Sequence, residues 1–119
     1  MNHEWVTAGK VRARINDEGA LEVHCDGLTT QTKYYKTLLR EFFLKDFPPL
    51  RPGFGDYSVH IIMEYTGDAP WMDLDNLAKA LLDSLTGHVF DDDHQVARLL
   101  VERRPADVEG IYLSAAAMG

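Results

Sequence analysis

Three observations predict a single α+β domain in which two main helices cover a mixed β-sheet. Strand-like stretches bounded by turn residues occur near the start, middle and end of the chain. Two longer stretches repeat apolar residues on one helical face. The chain has 119 residues, 45% of them hydrophobic, which fits one domain over 1–119 with one core and leaves little for a second.

Trp5 to Ala8 reads as a short strand, and Gly9 to Arg14 leads into a hairpin whose turn is Asn16-Asp17-Glu18-Gly19, with Ala20 to His24 returning. Lys10, Arg12 and Arg14 alternate along the outgoing arm. They suit either the solvent face of an edge strand or an arm that contacts phosphates. A helix is expected from Thr29 or Thr30 to about Asp46, capped by a threonine, with Tyr34, Tyr35, Leu38, Leu39, Phe42 and Phe43 facing the core. Lys33, Lys36 and Arg40 fall three and four residues apart and form a basic line on another side of it. Pro48, Pro49, Pro52, Gly53 and Gly55 make a loop.

Tyr57 to Tyr65 predicts a strand with Val59, Ile61 and Met63 on one side, followed by a short loop from Thr66 to Trp71. The second helix starts near Leu74, buries Leu77, Leu81 and Leu85, and closes at Gly87 as a C′ residue. Val96 to Glu102 and Ile111 to Ala115 are the last strands, and the simplest expectation is that they form an antiparallel pair.

Composition narrows the function classes. No run is long enough to span a membrane, the N-terminus lacks the apolar core of a signal peptide, and the single cysteine, Cys25, fits a reducing cytoplasm. The net charge of −7 runs against the basic footprint usual for nucleic-acid binders. Residues 1–60 hold 8 Lys+Arg and 8 Asp+Glu, whereas residues 61–119 hold 4 and 11, so the whole excess lies in the second half. Five of those acids are Asp73, Asp75, Asp91, Asp92 and Asp93, and bound cations would cancel much of it.

Asp73 and Asp75 stand at the mouth of the second helix, and the 91–93 tract follows its exit. Oxygen ligands without a thiol cluster favour Mg²⁺, with Mn²⁺ as a substitute. Simpler roles exist for each: Asp73 as an N-cap, Asp75 as a favourable charge on the helix dipole with Lys79 as its i+4 partner, and the tract as a solvated turn. A calcium loop starting at Asp91 fails because Val96 stands where the sharp turn needs glycine. His88 and His94 lack zinc-ligand spacing. For the two acidic groups to meet, the strand after the helix must return antiparallel or bent.

The Asp73-Leu74-Asp75-Asn76-Leu77 run with Lys79, followed by a DD-x-x-QV-like tract ending in Gln95-Val96, resembles the RusA family of Holliday junction resolvases. That resemblance implies a homodimeric, Mg²⁺-dependent endonuclease that cuts four-way junctions in DNA recombination and repair. Aligned on Gln95-Val96, the implied metal ligands are Asp73, Asp75 and Asp93, with Asp92 assisting and Asp91 extra. Lys79 is the implied charge-neutralising catalytic residue. Lys10, Arg12, Arg14, Lys33, Lys36 and Arg40 are the expected DNA contacts. Family members often carry basic residues just before the first aspartate, whereas this chain reads Gly67-Asp68-Ala69-Pro70-Trp71-Met72. Trp71 is expected to pack the helix entrance rather than stack on a base. The alternative function is a catalytically inactive nucleic-acid-binding or regulatory dimer of the same fold.

Overall fold

Strand pairing begins with a meander. Strands β1 (Val6–Ala8), β2 (Val11–Ile15) and β3 (Leu21–Asp26) run antiparallel in turn. The Asn16 side chain accepts from the backbone N–H groups of Glu18 and Ala20 at 3.0 Å each, and Gly19 takes φ 81°, a left-handed turn that a Cβ disfavours. The computed structural model describes residues 3–119.

Helix α1 (Lys33–Lys45) starts later than its threonines suggest. Thr29 spends its hydroxyl on the Gln31 N–H, and its own N–H donates to the Tyr35 hydroxyl, so residues before Thr32 form a turn instead. Thr32 is the N-cap residue and makes no side-chain cap bond. Tyr35, Leu39, Phe42 and Phe43 are buried as the periodicity requires, but Tyr34 is 43% exposed and lies outside the core. Strand β4 (Tyr57–Tyr65), helix α2 (Leu74–Leu85), a 3-10 turn (Asp93–Gln95), β5 (Val96–Pro105) and β6 (Gly110–Ala117) complete the chain.

The sheet order is β1-β2-β3-β6-β4-β5. The expected antiparallel pair of the last two strands does not form. Strand β6 lies between β3 and β4, antiparallel to both, and β5 runs parallel to β4 on the sheet edge. Burial explains the exchange: Ile111, Leu113 and Ala115 of β6 are core residues that need a neighbour on each side, whereas Leu99 and Leu100 of β5 remain 44% exposed each. The edges are therefore β1 and β5, and β2, which carries Arg12 and Arg14, is internal.

Both helices pack on the sheet face formed by Val11, Val23, Ile61 and Leu113. The opposite face carries a charged network instead. Arg14 meets Glu22 at 3.1 Å, Tyr112 donates to Glu22, and Glu102 is shared by His60 at 2.8 Å and Arg104 at 2.9 Å. The result is a two-layer α+β domain. No described helix is long and apolar enough to cross a membrane.

Gly110 is fixed by close approach. A Cβ there would lie 2.9 Å from the Cys25 carbonyl oxygen and 3.1 Å from the His24 ring. Gly110→Ala should therefore destabilise the fold by about 1–3 kcal/mol, as overpacking against backbone does. The control Gly119→Ala adds its methyl to open space and should leave urea unfolding unchanged. Equal midpoints for the two variants would show that β3 and β6 separate freely at this point.

Candidate active site

The mouth of α2 is built by its own cap. Asp73 has extended backbone (φ −76°, ψ 114°), and its carboxylate accepts from the Asp75 N–H at 2.9 Å. The turn brings Asp75 into the first helical turn with both carboxylates exposed, where the helix dipole favours negative charge. Lys79 follows one turn later but makes no ion pair or hydrogen bond among the described residues, so the expected Asp75–Lys79 pair is absent. Asp83, a turn further on, is taken by Lys36 at 3.7 Å, while Arg40 donates to the Asp83 carbonyl at 3.3 Å.

The acidic tract is a hydrogen-bonded turn. Asp92 caps it, accepting from the His94 N–H at 3.0 Å and pairing with the His94 imidazole at 3.0 Å. The Gln95 side chain locks the turn to the preceding loop: its amide nitrogen donates to the Gly53 and Gly55 carbonyls, and its oxygen accepts from the N–H groups of Asp91 and Asp92. This role of Gln95 has no local signal in the sequence, because its carbonyl partners lie in a glycine loop forty residues away. The bonds from the His94 backbone and imidazole hold the Asp92 carboxyl below the usual carboxylate range. Asp93 moves the other way, pushed up by its hydrogen bond to Asp92, then by its own desolvation and the charges of Asp92 and Asp83.

Asp73 and Asp75 do not meet Asp92 and Asp93 within one chain. Because β5 is parallel to β4, the tract that precedes it lies at the far end of α2. Twelve helical residues span roughly 18 Å at the standard rise. No group of three His, Cys, Asp or Glu side chains able to hold a metal ion forms among the described residues. Carboxylate oxygens suit a hard divalent cation, but within one chain the two pairs do not come together.

The basic residues divide similarly. Lys33 and Lys36 of α1 and Lys79 of α2 line one cleft of about 610 Å³ together with Asn76 and Asp83. Arg12 and Arg14 lie on the opposite sheet face, over the Trp5 ring at 5.6 and 4.8 Å, and Arg14 is committed to Glu22. Lys10 sits in the turn before β2. The two sets therefore do not form one continuous track. His88 packs on Phe43, with ring centroids 5.5 Å apart, and its pKa is lowered by burial and by Arg40, a structural role.

Trp71 is 99% exposed, so it does not pack the helix entrance as expected. It lines a cleft of about 470 Å³ with Asp73 and with Arg103 of β5. Arg103 was not singled out in the sequence, since its nearness to Asp73 follows only from the parallel placement of β5. Phe54, 91% exposed, projects from the loop that Gln95 holds.

The chain matches the model of the family Endodeoxyribonuclease RusA over residues 5–114, a span that includes both acidic segments. No curated protein matches it.

In a carboxyl-carbon NMR titration of the metal-free protein, Asp93 should take up its proton before Asp92 as pH falls. His94→Ala should narrow the interval by raising Asp92. Because Asp92 is depressed in the fold, its contribution to stability is present above its unfolded pKa and is lost as pH falls through the folded value. Asp93 titrating below Asp92 would contradict the hydrogen-bond pattern of this turn.

Proposed function

The chain belongs to the endodeoxyribonuclease RusA family, and from that membership we propose that it is a divalent-metal-dependent endonuclease cutting Holliday junctions and related branched DNA, a homodimer serving recombination and repair. The observation that carries this reading is the family match over 5–114, which takes in Asp73, Asp75, Lys79 and Asp93 together. Mg²⁺ is the proposed cation and Mn²⁺ its substitute, because the candidate ligands are carboxylate oxygens.

A second copy completes the ligand set. Strand β5 is a ten-residue edge with unpaired backbone groups and two half-exposed leucines, the kind of edge that recruits another strand. Antiparallel pairing of two β5 strands across a two-fold axis brings the start of one strand to the end of the other. Arg103, near that end, lines the cleft beside Asp73. Each site of the dimer would then take Asp73 and Asp75 from one copy and Asp93 of the partner subunit, with Asp92 of the partner subunit in support.

When bound there, a divalent cation supplies positive charge to phosphoryl oxygens and acidifies a nearby water. The chain's own groups do the rest. Lys79, free of ion pairs, faces the α1–α2 cleft and neutralises charge that builds at the scissile phosphate. Lys33 and Lys36 hold the adjoining backbone. Arg40, Lys10, Arg12 and Arg14 are left for outer contacts, Arg40 and Arg14 least available because each already has a protein partner.

The separation of the carboxylates in one chain also favours the second reading, a dimer that binds junctions without cutting them. A labelled four-way junction and a matching linear duplex, incubated with and without Mg²⁺, decide between the two: the nuclease cuts the junction only, and only with metal. Binding without cleavage under any divalent metal selects the second reading. Asp73→Asn, Asp75→Asn and Asp93→Asn should each abolish cleavage while junction binding persists.

Mixing Asp73→Asn protein with Asp93→Asn protein tests the shared site, because a mixed dimer regains one intact site and therefore nicking. If subunits exchange and the mixture stays inactive, each site is built within one chain. Lys33→Ala with Lys36→Ala should lower the slope of log affinity against log salt by roughly 0.9 per lost phosphate contact. An unchanged slope would make that cleft merely solvated.

A further inference from the structure

Trp71 is the most exposed large hydrophobic side chain of the described residues, 99% accessible. A lone exposed aromatic needs no special explanation, but this one has three features that point to a ligand. It borders a cleft of about 470 Å³, within the range of small-molecule sites. Its segment is anchored on its C-terminal side, because Met72 packs against the core and Asp73 caps α2. Across the cleft stands Arg103, which makes no ion pair or hydrogen bond among the described residues, unlike its neighbour Arg104, which is held by Glu102. Alternation along β5 accounts for the difference: Arg103 pairs in register with core-facing Met63, so it projects to the helix side, while Arg104 projects to the open face.

An indole face and a guanidinium together match one nucleotide, the indole for the base and the guanidinium for its phosphate. The base must be unpaired, since within a duplex each face is covered by its neighbours. Resting on the reading of the chain as a junction-binding protein, we propose that Trp71 and Arg103 form a nucleotide subsite beside Asp73 that holds an unstacked base at the branch point and so favours branched over linear DNA. Arg103 also supplies, from a distant strand, the positive charge that residues 67–72 lack.

The chain has two tryptophans, so Trp5→Phe leaves Trp71 as its one indole fluorophore. In that background, a four-way junction and a single-stranded dT oligomer should both quench the emission of Trp71, and a blunt duplex should not. Binding is followed in parallel by mobility shift without metal. Trp71→Ala should weaken junction binding roughly ten- to a hundredfold, and Trp71→Phe should recover most of the loss. Since residue 71 is almost fully exposed, unchanged circular dichroism is expected for both. Arg103→Ala should weaken junction and dT-oligomer binding alike and lower the salt slope by about 0.7–0.9. Junction binding with no quenching, equal quenching by duplex, or full affinity in Trp71→Ala overturns the subsite and leaves the nuclease reading standing. A parent protein that binds no junction overturns both.

Discussion

The parallel pairing of β4 with β5 is the constraint on which the rest of this molecule depends. A parallel neighbour requires a crossover, and α2 is that crossover, so its two ends lie at opposite ends of the two strands. The cap at Asp73 and the turn at Asp92 are each locally well made, with their carboxylates fixed by backbone N–H groups. Their separation is a property of topology, and side-chain adjustment cannot close a gap of roughly 18 Å. The same pairing leaves β5 as a long exposed edge, so the feature that divides the acidic groups also supplies the edge on which the proposed dimer rests.

Charge is distributed to match. The overall balance is −7, yet the cleft between the helices gathers Lys33, Lys36 and Lys79 around a single acid, Asp83, which Lys36 partly neutralises. On the open sheet face, acids and bases pair with each other, Arg14 with Glu22 and His60 with Glu102 across strands and Arg104 with Glu102 along β5. Such exposed pairs add little stability individually, but they leave few uncommitted charges on that face. Among the cations without an ion pair, Lys79 and Arg103 lie on the helix side and line the clefts beside α2.

Gln95 shows how a polar side chain can make two loops act as one. Its amide satisfies two carbonyls of the 53–55 segment and two N–H groups of the acidic turn. Gly53 adds a backbone bond to Val89 and lies so close to the Tyr57 hydroxyl that a Cβ there would force the tyrosine side chain to move. The turn that carries Asp92 and Asp93 is thus held to the start of β4, and motion there is coupled to the sheet. In the proposed dimer, carboxylates whose backbone is already fixed would lose less freedom on binding a cation.

The bounds of β4 and α2, the N-cap at Asp73, the first hairpin and the family motif were legible because each depends on residues within a few positions of one another: alternation, helical periodicity, and an aspartate next to the amide it caps. The late start of α1 was less legible, since Thr29 chose a turn partner over a helical cap. Strand order lay beyond local patterns, because β5 and β6 could pair with each other or with β4, and the choice was made by competition for burial among Leu113, Ile111 and the exposed leucines of β5. Thus the chemical groups on offer, carboxylates at 73, 75 and 91–93 and the lysines and arginines around them, are set by sequence alone. Which of them share a cleft, that Trp71 faces solvent, and that Arg103 stands beside Asp73 were decided by long-range pairing, whose energy depends on the whole core at once.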